Sequence, residues 1–253
     1  MKTRTVWDFT PDEFAWVWAE TGHDEYPYPI SIIESPTTPD EYAKRRAEIS
    51  ARFPHRADPD LTGPLRALAN PDLRLICTGK SHGSHKRVRT LAAASANLGV
   101  ILFQKSGSTA EFGGTIKLVV TQRHLLSRHL AATMPPAQPG ATAPMLGYTP
   151  RVRGEQPPAS WGTEADGQRS VEERIRALLH APRTADGHLC IEQHLHAPHP
   201  HPRIYLNWID VRDDHPAAGR YLISVDDNDT SVIPASQDII ADQLYRKAQL
   251  DHQ

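Results

Sequence analysis

The feature that most constrains the fold is an order of segments that occurs twice along the chain. In each half a helical turn leads to a strand-like run holding one of the two cysteines, Cys77 or Cys190. Two more strand-like runs, a short strand and an amphipathic helix then follow. Leu126 and Leu130 in the first closing helix correspond to Ile240 and Leu244 in the second. The sequence therefore predicts an internal repeat of an α+β unit, with residues 170–253 as the counterpart of about 65–134.

A segment rich in proline and glycine separates the two copies. Residues 135–169 contain few aliphatic side chains, so they bury little apolar surface and are predicted to be a linker or a long surface loop. The chain is accordingly divided into an N-terminal half, 1–134, this linker, 135–169, and a C-terminal half, 170–253. The halves are expected to pack as one compact domain.

Three capping boxes mark helix starts. "TPDEF" and "TPDEY" begin at Thr10 and Thr38, and "SVEE" begins at Ser170, each with a hydroxyl residue followed three positions later by glutamate. Strands are predicted at Leu73–Thr78, Arg87–Ser95, Gly99–Gln104, Thr115–Val120, Gly187–His194, Arg203–Val211, Arg220–Val225 and around Ser231–Ile233.

Composition excludes several classes of function. The 253 residues are 39% hydrophobic with a formal charge of -2, which gives a globular core and no bulk attraction for nucleic acid or anionic lipid. No apolar run approaches the length of a membrane span, and the N-terminus turns polar too soon for a signal peptide. A cytosolic location with reduced thiols is expected.

The stretch "LRLICTGKSHGSHKRV" at 73–88 contains two partial enzyme motifs. A phosphate-binding loop needs glycine where Arg74 stands. A nucleophile elbow at Ser81 needs a helix directly after the serine, whereas the corresponding segment of the second copy is rich in β-branched and aromatic residues. The stretch is therefore predicted to be a polar hairpin without a catalytic role.

Histidines cluster in the second copy. Five of the fourteen lie between His188 and Ile204, and His194 and His196 are predicted to share one face of a strand. His194, His196, His199 and His201 together are the candidate ligands of a metal-dependent enzyme. The other interpretation is a hairpin of proline and histidine that holds no metal or other cofactor. "DDND" at Asp226–Asp229 lacks the glycine and closing glutamate of a calcium loop and is read as a hairpin turn.

The C-terminal half resembles a known family. "WIDVRDDHPAAGRYLISVDD" and "VIPASQDIIADQL" carry W-x-D, G-R-Y and V-x-P-A elements similar to those of EspG proteins, and "FTPDEFAWVWAETG" resembles their opening helix. This resemblance implies a central antiparallel sheet flanked by two helical bundles, with a quasi-two-fold relation between the halves. It implies a non-enzymatic cytosolic chaperone of a type VII (ESX) secretion system that binds the apolar tip of PPE proteins in PE-PPE heterodimers.

The resemblance also suggests where a partner would bind. EspG proteins use the sheet and the C-terminal bundle, and the polar hairpin is added here for its length and exposure. The predicted contact residues are Thr78, Gly79, Lys80, Ser81, His82, Gly83, Ser84, His85 and Lys86 in the hairpin, with Gln243, Arg246 and Lys247 in the last helix.

Other questions stay open from the sequence. ESX membrane components are possible further partners, and either a monomer or a homodimer is compatible with the chain. "VRDDHP" at Val211–Pro216 matches no pattern of the family. A metal-dependent enzyme and a non-catalytic adaptor of the same fold remain the alternative functions.

Overall fold

The chain forms one ten-stranded antiparallel sheet with helices on both faces. The computed structural model describes residues 5–36, 38–84, 86–157, 169–199 and 201–250. The strand order is β1-β5-β4-β3-β2-β7-β8-β9-β10-β6, and every neighbouring pair is antiparallel. The predicted α+β class with a central antiparallel sheet is confirmed.

The strands and helices have the following bounds. The strands are β1 Val6–Phe9, β2 Leu73–Ser81, β3 Arg87–Ser95, β4 Leu98–Ser106, β5 Gly113–Gln122, β6 Met145–Tyr148, β7 Arg183–Gln193, β8 Ile204–Val211, β9 Gly219–Val225 and β10 Asp229–Pro234. The helices are α1 Pro11–Trp18, α2 Pro39–Arg52, α3 Pro59–Ala69, α4 Leu126–Ala132, α5 Thr149–Val152, α6 Val171–Leu179 and α7 Gln237–Lys247.

The helix starts follow the local sequence. Thr10, Thr38 and Ser170 each accept a hydrogen bond from the backbone N–H of the glutamate three residues later, and each glutamate bonds back to the cap backbone. These reciprocal bonds satisfy N–H groups that have no partner within the helix. The three predicted capping boxes are thus present and begin α1, α2 and α6.

The two cysteine-containing strands lie side by side at the centre of the sheet. β2 pairs with β7 from Leu73 opposite Gln193 to Ser81 opposite Ala185. The remaining strands of each half extend outward in the same succession, β3 to β5 on one side and β8 to β10 on the other. This order is the one that an internal repeat would produce, but order alone does not demonstrate duplication, so the repeat stays a prediction.

Side-chain alternation divides the core between the two faces of the sheet. On one face, here called the α4/α7 face, α4 and α7 pack over Leu75, Leu189 and Trp208. On the opposite face α1 and α3 cover the N-terminal strands, while α5 and α6 cover β8 to β10. Two separate helical groups on this second face leave the central strands between them less covered. No helix in the described ranges has the length and apolarity to cross a membrane.

The structure corrects two predictions of local structure and adds one strand that was not predicted. Met145–Tyr148, inside the predicted linker 135–169, forms the edge strand β6 against β10. Val6–Phe9 forms the opposite edge strand, which the sequence analysis did not identify. β7 ends at Gln193, so His194 and His196 do not lie on a strand. Residues 158–168 of the predicted linker lie outside the described ranges, and the division of the chain into three parts stays a prediction.

Candidate interaction groove

The motif residues of the C-terminal half meet on the α4/α7 face. Asp210 accepts two hydrogen bonds of 2.7 Å from Nε and Nη2 of Arg220, and both side chains are buried. The Arg220 guanidinium lies 5.1 Å from the centre of the Trp208 ring, and Trp208 Nε1 donates to the Thr78 carbonyl at 3.3 Å. The W-x-D and G-R-Y elements therefore connect β8 and β9 to the central strand β2.

Two glycines make room for the Trp208 indole. Gly79 and Gly187 are opposite each other in the β2–β7 pair. A Cβ atom on Gly79 would lie 2.2 Å from the Trp208 ring, and one on Gly187 would lie 2.0 Å from the Thr78 carbonyl oxygen. Gly79 is one of the predicted contact residues, and the Trp208 ring occupies the space that a side chain there would need, so its involvement in partner binding stays a prediction.

The opposite face of the central strands carries an open groove. Its floor consists of side chains from β2, β7 and β8. The strand register aligns them in rows across the sheet, one of which contains Ile76, Cys190 and Tyr205. Two adjoining cavities of about 600 Å³ and 520 Å³ lie along it, and both are lined by Tyr28 and His188. The groove lies where the two helical groups cover the sheet least.

Aromatic and aliphatic side chains give the groove an apolar character. Residues 23–33, between α1 and α2, form one wall and contribute Tyr26, Tyr28 and Ile33. Tyr28 is 62% exposed, Ile33 is 41% exposed and Tyr205, on the floor, is 51% exposed. Large apolar surfaces that are exposed together on a folded protein are typical of interaction sites.

One end of the groove contains a buried carboxylate between two arginines. Glu192 Oε1 lies 2.7 Å from Arg203 Nε, and Glu192 Oε2 lies 3.6 Å from Arg74 Nη1. A hydrogen bond with Tyr205, together with the Glu192 charge, raises the pKa of Arg203. Burial raises the pKa of the neighbouring Cys190 thiol, which stays protonated near neutral pH. This end of the groove is charged but internally paired.

The other end of the groove lies beside the β2–β3 hairpin. Asp186 accepts from His82 at 3.1 Å and lies 3.6 Å from Arg183 Nη1. Thr78 Oγ1 and His188 Nε2 are 3.0 Å apart. These contacts join the hairpin to the start of β7.

The predicted hairpin residues have different positions relative to the groove. Thr78, Gly79 and Lys80 line it. Ser81 ends β2, and His82, Gly83 and Ser84 form the turn, so no helix follows Ser81 and a nucleophile elbow is absent. Lys86 is exposed just before β3, and His85 lies outside the described residues.

The predicted residues of the last helix do not reach the groove. Gln243, Arg246 and Lys247 belong to α7, which packs on the α4/α7 face. The residues just after α7, Ala248 and Gln249, line a cavity with Asp72, at the end of β2 remote from the hairpin. The structure thus separates the two sets of predicted contact residues, because they lie on different faces and at different ends of the sheet.

The histidine-rich segment forms no metal-binding arrangement in the described part of the chain. The rings of His194 and His201 lie 4.3 Å apart, while His196 and His199 are exposed in the turn between β7 and β8. No three His, Cys, Asp or Glu side chains among the described residues are placed to hold a metal ion. Asp226 accepts from the N–H groups of Asn228 and Asp229, as the predicted hairpin turn requires.

Several groove residues were missed by sequence reasoning. Tyr28 lies in a segment of irregular structure whose sequence carries no periodicity that could place it beside the sheet. Tyr205 and Asn207 alternate with the buried Leu206 and Trp208, and this period of two is the one signal that could have identified the exposed floor of β8.

Comparisons with known proteins agree on the fold. The sequence model described as the EspG family matches residues 10–246. A solved structure of the Mycobacterium tuberculosis type VII secretion system chaperone EspG5 in complex with the PE25-PPE41 dimer is similar, with a TM-score of 0.62. The match covers 98% of this chain and 96% of that chain at 12% sequence identity, so it shows the fold alone. No curated protein sequence matches the chain.

Proposed function

The chain belongs to the EspG family, and from this membership we propose that it is a cytoplasmic chaperone of a type VII secretion system. Its proposed client is a PPE protein within a PE-PPE heterodimer. The observation that carries the proposal is the family match, which spans residues 10–246 and so nearly the whole chain. The similarity in fold to EspG5, a chaperone solved with such a dimer, supports it.

The groove gives this function a physical basis. An exposed apolar tip on a client is an aggregation hazard, and a chaperone removes the hazard by covering the tip until release. Exposed side chains on the floor and wall, Tyr205 and Tyr28 among them, provide apolar contact area beside polar groups at both ends. A standard interface buries about 800 Å² on each partner, of which the groove would supply the central part. Binding of this kind needs no catalytic step and no cofactor.

Co-expression with the PE-PPE pair encoded near the gene tests the proposal. We expect the three proteins to elute together in size-exclusion chromatography as one complex, and the PE-PPE pair to be less soluble when expressed alone. A pair that stays soluble by itself and elutes separately from the folded chain would contradict the assignment and would favour an adaptor function.

A further inference from the structure

Three basic side chains lie together at the hairpin end of the groove. Lys80 on β2 is directly opposite Arg87 on β3, and Arg89 follows two residues later on the same face of β3. All three line the cavity of about 600 Å³. Lys80 is exposed, and the two arginines are partly buried. The strand register therefore concentrates positive charge at the hairpin end of the groove.

The surrounding acidic groups do not neutralise this cluster. Asp186, the cross-strand neighbour of Lys80, is paired with His82 and Arg183. Glu111 lies close enough to Arg89 to favour its charged form. In the described part of the chain neither Lys80 nor Arg87 has a carboxylate within ion-pair distance.

Two features of the cluster are energetically unfavourable in the free protein. Like charges directly opposite each other on neighbouring strands repel. Arg89 Nη2 donates to the Ala110 carbonyl at 2.6 Å, but its Nη1 is buried without a hydrogen-bond partner among the described residues. Burial first, and then the Arg87 charge, lower the pKa of Arg89. A buried donor without an acceptor costs free energy that a bound acceptor would recover.

We propose that the Lys80, Arg87 and Arg89 cluster binds carboxylate side chains of the client, next to the segment whose apolar residues occupy the rest of the groove. A carboxylate is planar, accepts two hydrogen bonds from a guanidinium and removes the repulsion between Lys80 and Arg87. The client class is thus narrowed to PPE proteins whose docking segment carries acidic residues beside its apolar tip. This inference rests on the proposed function and specifies which clients the groove selects.

The test compares charge variants for binding to the neighbouring PE-PPE pair, with affinity measured at about 50 mM and about 300 mM NaCl, where screening differs strongly. The variant K80Q/R87Q is expected to bind about tenfold more weakly at the lower salt and to lose most of the salt dependence. Reversal in K80E/R87E should weaken binding further, and R87K, which keeps the charge but loses the paired guanidinium hydrogen bonds, should bind with an affinity between those of the parent chain and K80Q/R87Q.

A matched control removes the same charge elsewhere. Lys44 on α2 and Arg128 on α4 are exposed and lie outside the groove. K44Q/R128Q should keep the affinity and the salt dependence of the parent chain. Thermal unfolding of K80Q/R87Q should show no loss of stability, which separates a binding defect from misfolding.

The outcomes separate the two proposals. If the parent chain does not bind the pair, the proposed function is overturned and the inference falls with it. If the parent chain binds but K80Q/R87Q behaves as K44Q/R128Q does, the function stands and the carboxylate-binding cluster is overturned.

Discussion

At the scale of single residues, the side chains of the W-x-D and G-R-Y elements stabilise the fold. Asp210 and Arg220 are both buried and form a two-pronged ion pair beneath Trp208. Removing one member of a buried pair leaves the other charged and desolvated, which is far more costly than losing an exposed pair. The residues that resemble the EspG pattern therefore stabilise the sheet, and the groove lies on its other face.

Asp210→Asn should lower the free energy of unfolding by about 3 to 5 kcal/mol, because the Arg220 charge stays buried without a counter-charge. Urea unfolding followed by circular dichroism measures the loss. Asp214→Asn is the control, since Asp214 pairs with Arg212 at 2.6 Å on the surface, where the two side chains are 66% and 52% exposed, and the expected change is under about 1 kcal/mol. Equal losses in the two variants would contradict a stabilising role for the buried pair.

The buried thiol of Cys77 should make the free energy of unfolding fall at alkaline pH. Burial raises the pKa of its thiol from 9.0 to about 12. Because the pKa in the folded state lies above the unfolded value, the contribution is fully present below pH 9 and is lost as the pH rises from 9 toward 12. Between pH 9 and 10 the parent chain should lose about 1 kcal/mol more than Cys77→Ala, as measured by urea unfolding. Identical pH profiles for the two proteins would rule out this contribution.

At the scale of elements, the segment before β6 is held by the Tyr221 side chain together with backbone hydrogen bonds, such as those from Gly140 N–H to the Arg220 carbonyl and from Ala141 N–H to the Ala218 carbonyl. Thr142 donates to the Tyr221 hydroxyl from its N–H and from its Oγ1, both at 3.1 Å, and the hydroxyl donates to the Ala217 carbonyl at 2.9 Å. A Cβ atom on Gly140 would lie 2.0 Å from the Tyr221 ring. A stretch without regular hydrophobic patterning is thus ordered by side-chain and backbone contacts with residues about 80 positions later.

Tyr221→Phe should loosen this segment without unfolding the sheet, because the ring stays and the three hydrogen bonds are lost. We expect a destabilisation of about 1 to 2 kcal/mol. Hydrogen exchange should rise mainly at residues 139–148. A uniform rise across the central strands would show that the hydroxyl supports the whole fold instead.

The sequence predicts the elements whose signals are local. The three capping boxes and the longer strands are recovered because their patterns span a full turn or several alternations. β1 and β6 were missed because a four-residue edge strand shows too few alternations, and Tyr221 reaches Thr142 through a contact that no local pattern reveals. The position of α7 was also not predictable, since an apolar stripe shows that a helix packs but not on which face of a sheet.

At the scale of the whole molecule, the proposed client surface is the part of the sheet that the helices leave uncovered. Two helical groups cover the outer strands on one face, and the central strands between them expose Tyr205, which lines the same cavity as the wall residue Tyr28. Part of the predicted partner surface, the sheet with Thr78 and Lys80, lies in this groove, whereas the predicted α7 residues lie on the α4/α7 face. Their involvement in client binding stays a prediction.

Tyr205→Asp should weaken binding of the PE-PPE pair by more than tenfold, because a charge buried without a partner at the centre of an interface is strongly unfavourable. Tyr42→Asp is the matched control, since Tyr42 is 48% exposed on α2 and Tyr205 is 51% exposed on β8. Co-purification and calorimetry measure the difference, and circular dichroism verifies that both variants fold. Equal binding by both would place the client surface outside the groove.

The short edge strands of the sheet should limit self-association in concentrated solution. Both edge strands, β1 and β6, are four residues long. A short edge offers few free backbone donors and acceptors to a strand of another molecule, which limits sheet-to-sheet polymerisation. A protein proposed to cover the exposed apolar surfaces of its clients should therefore not nucleate fibres of its own, even at high concentration.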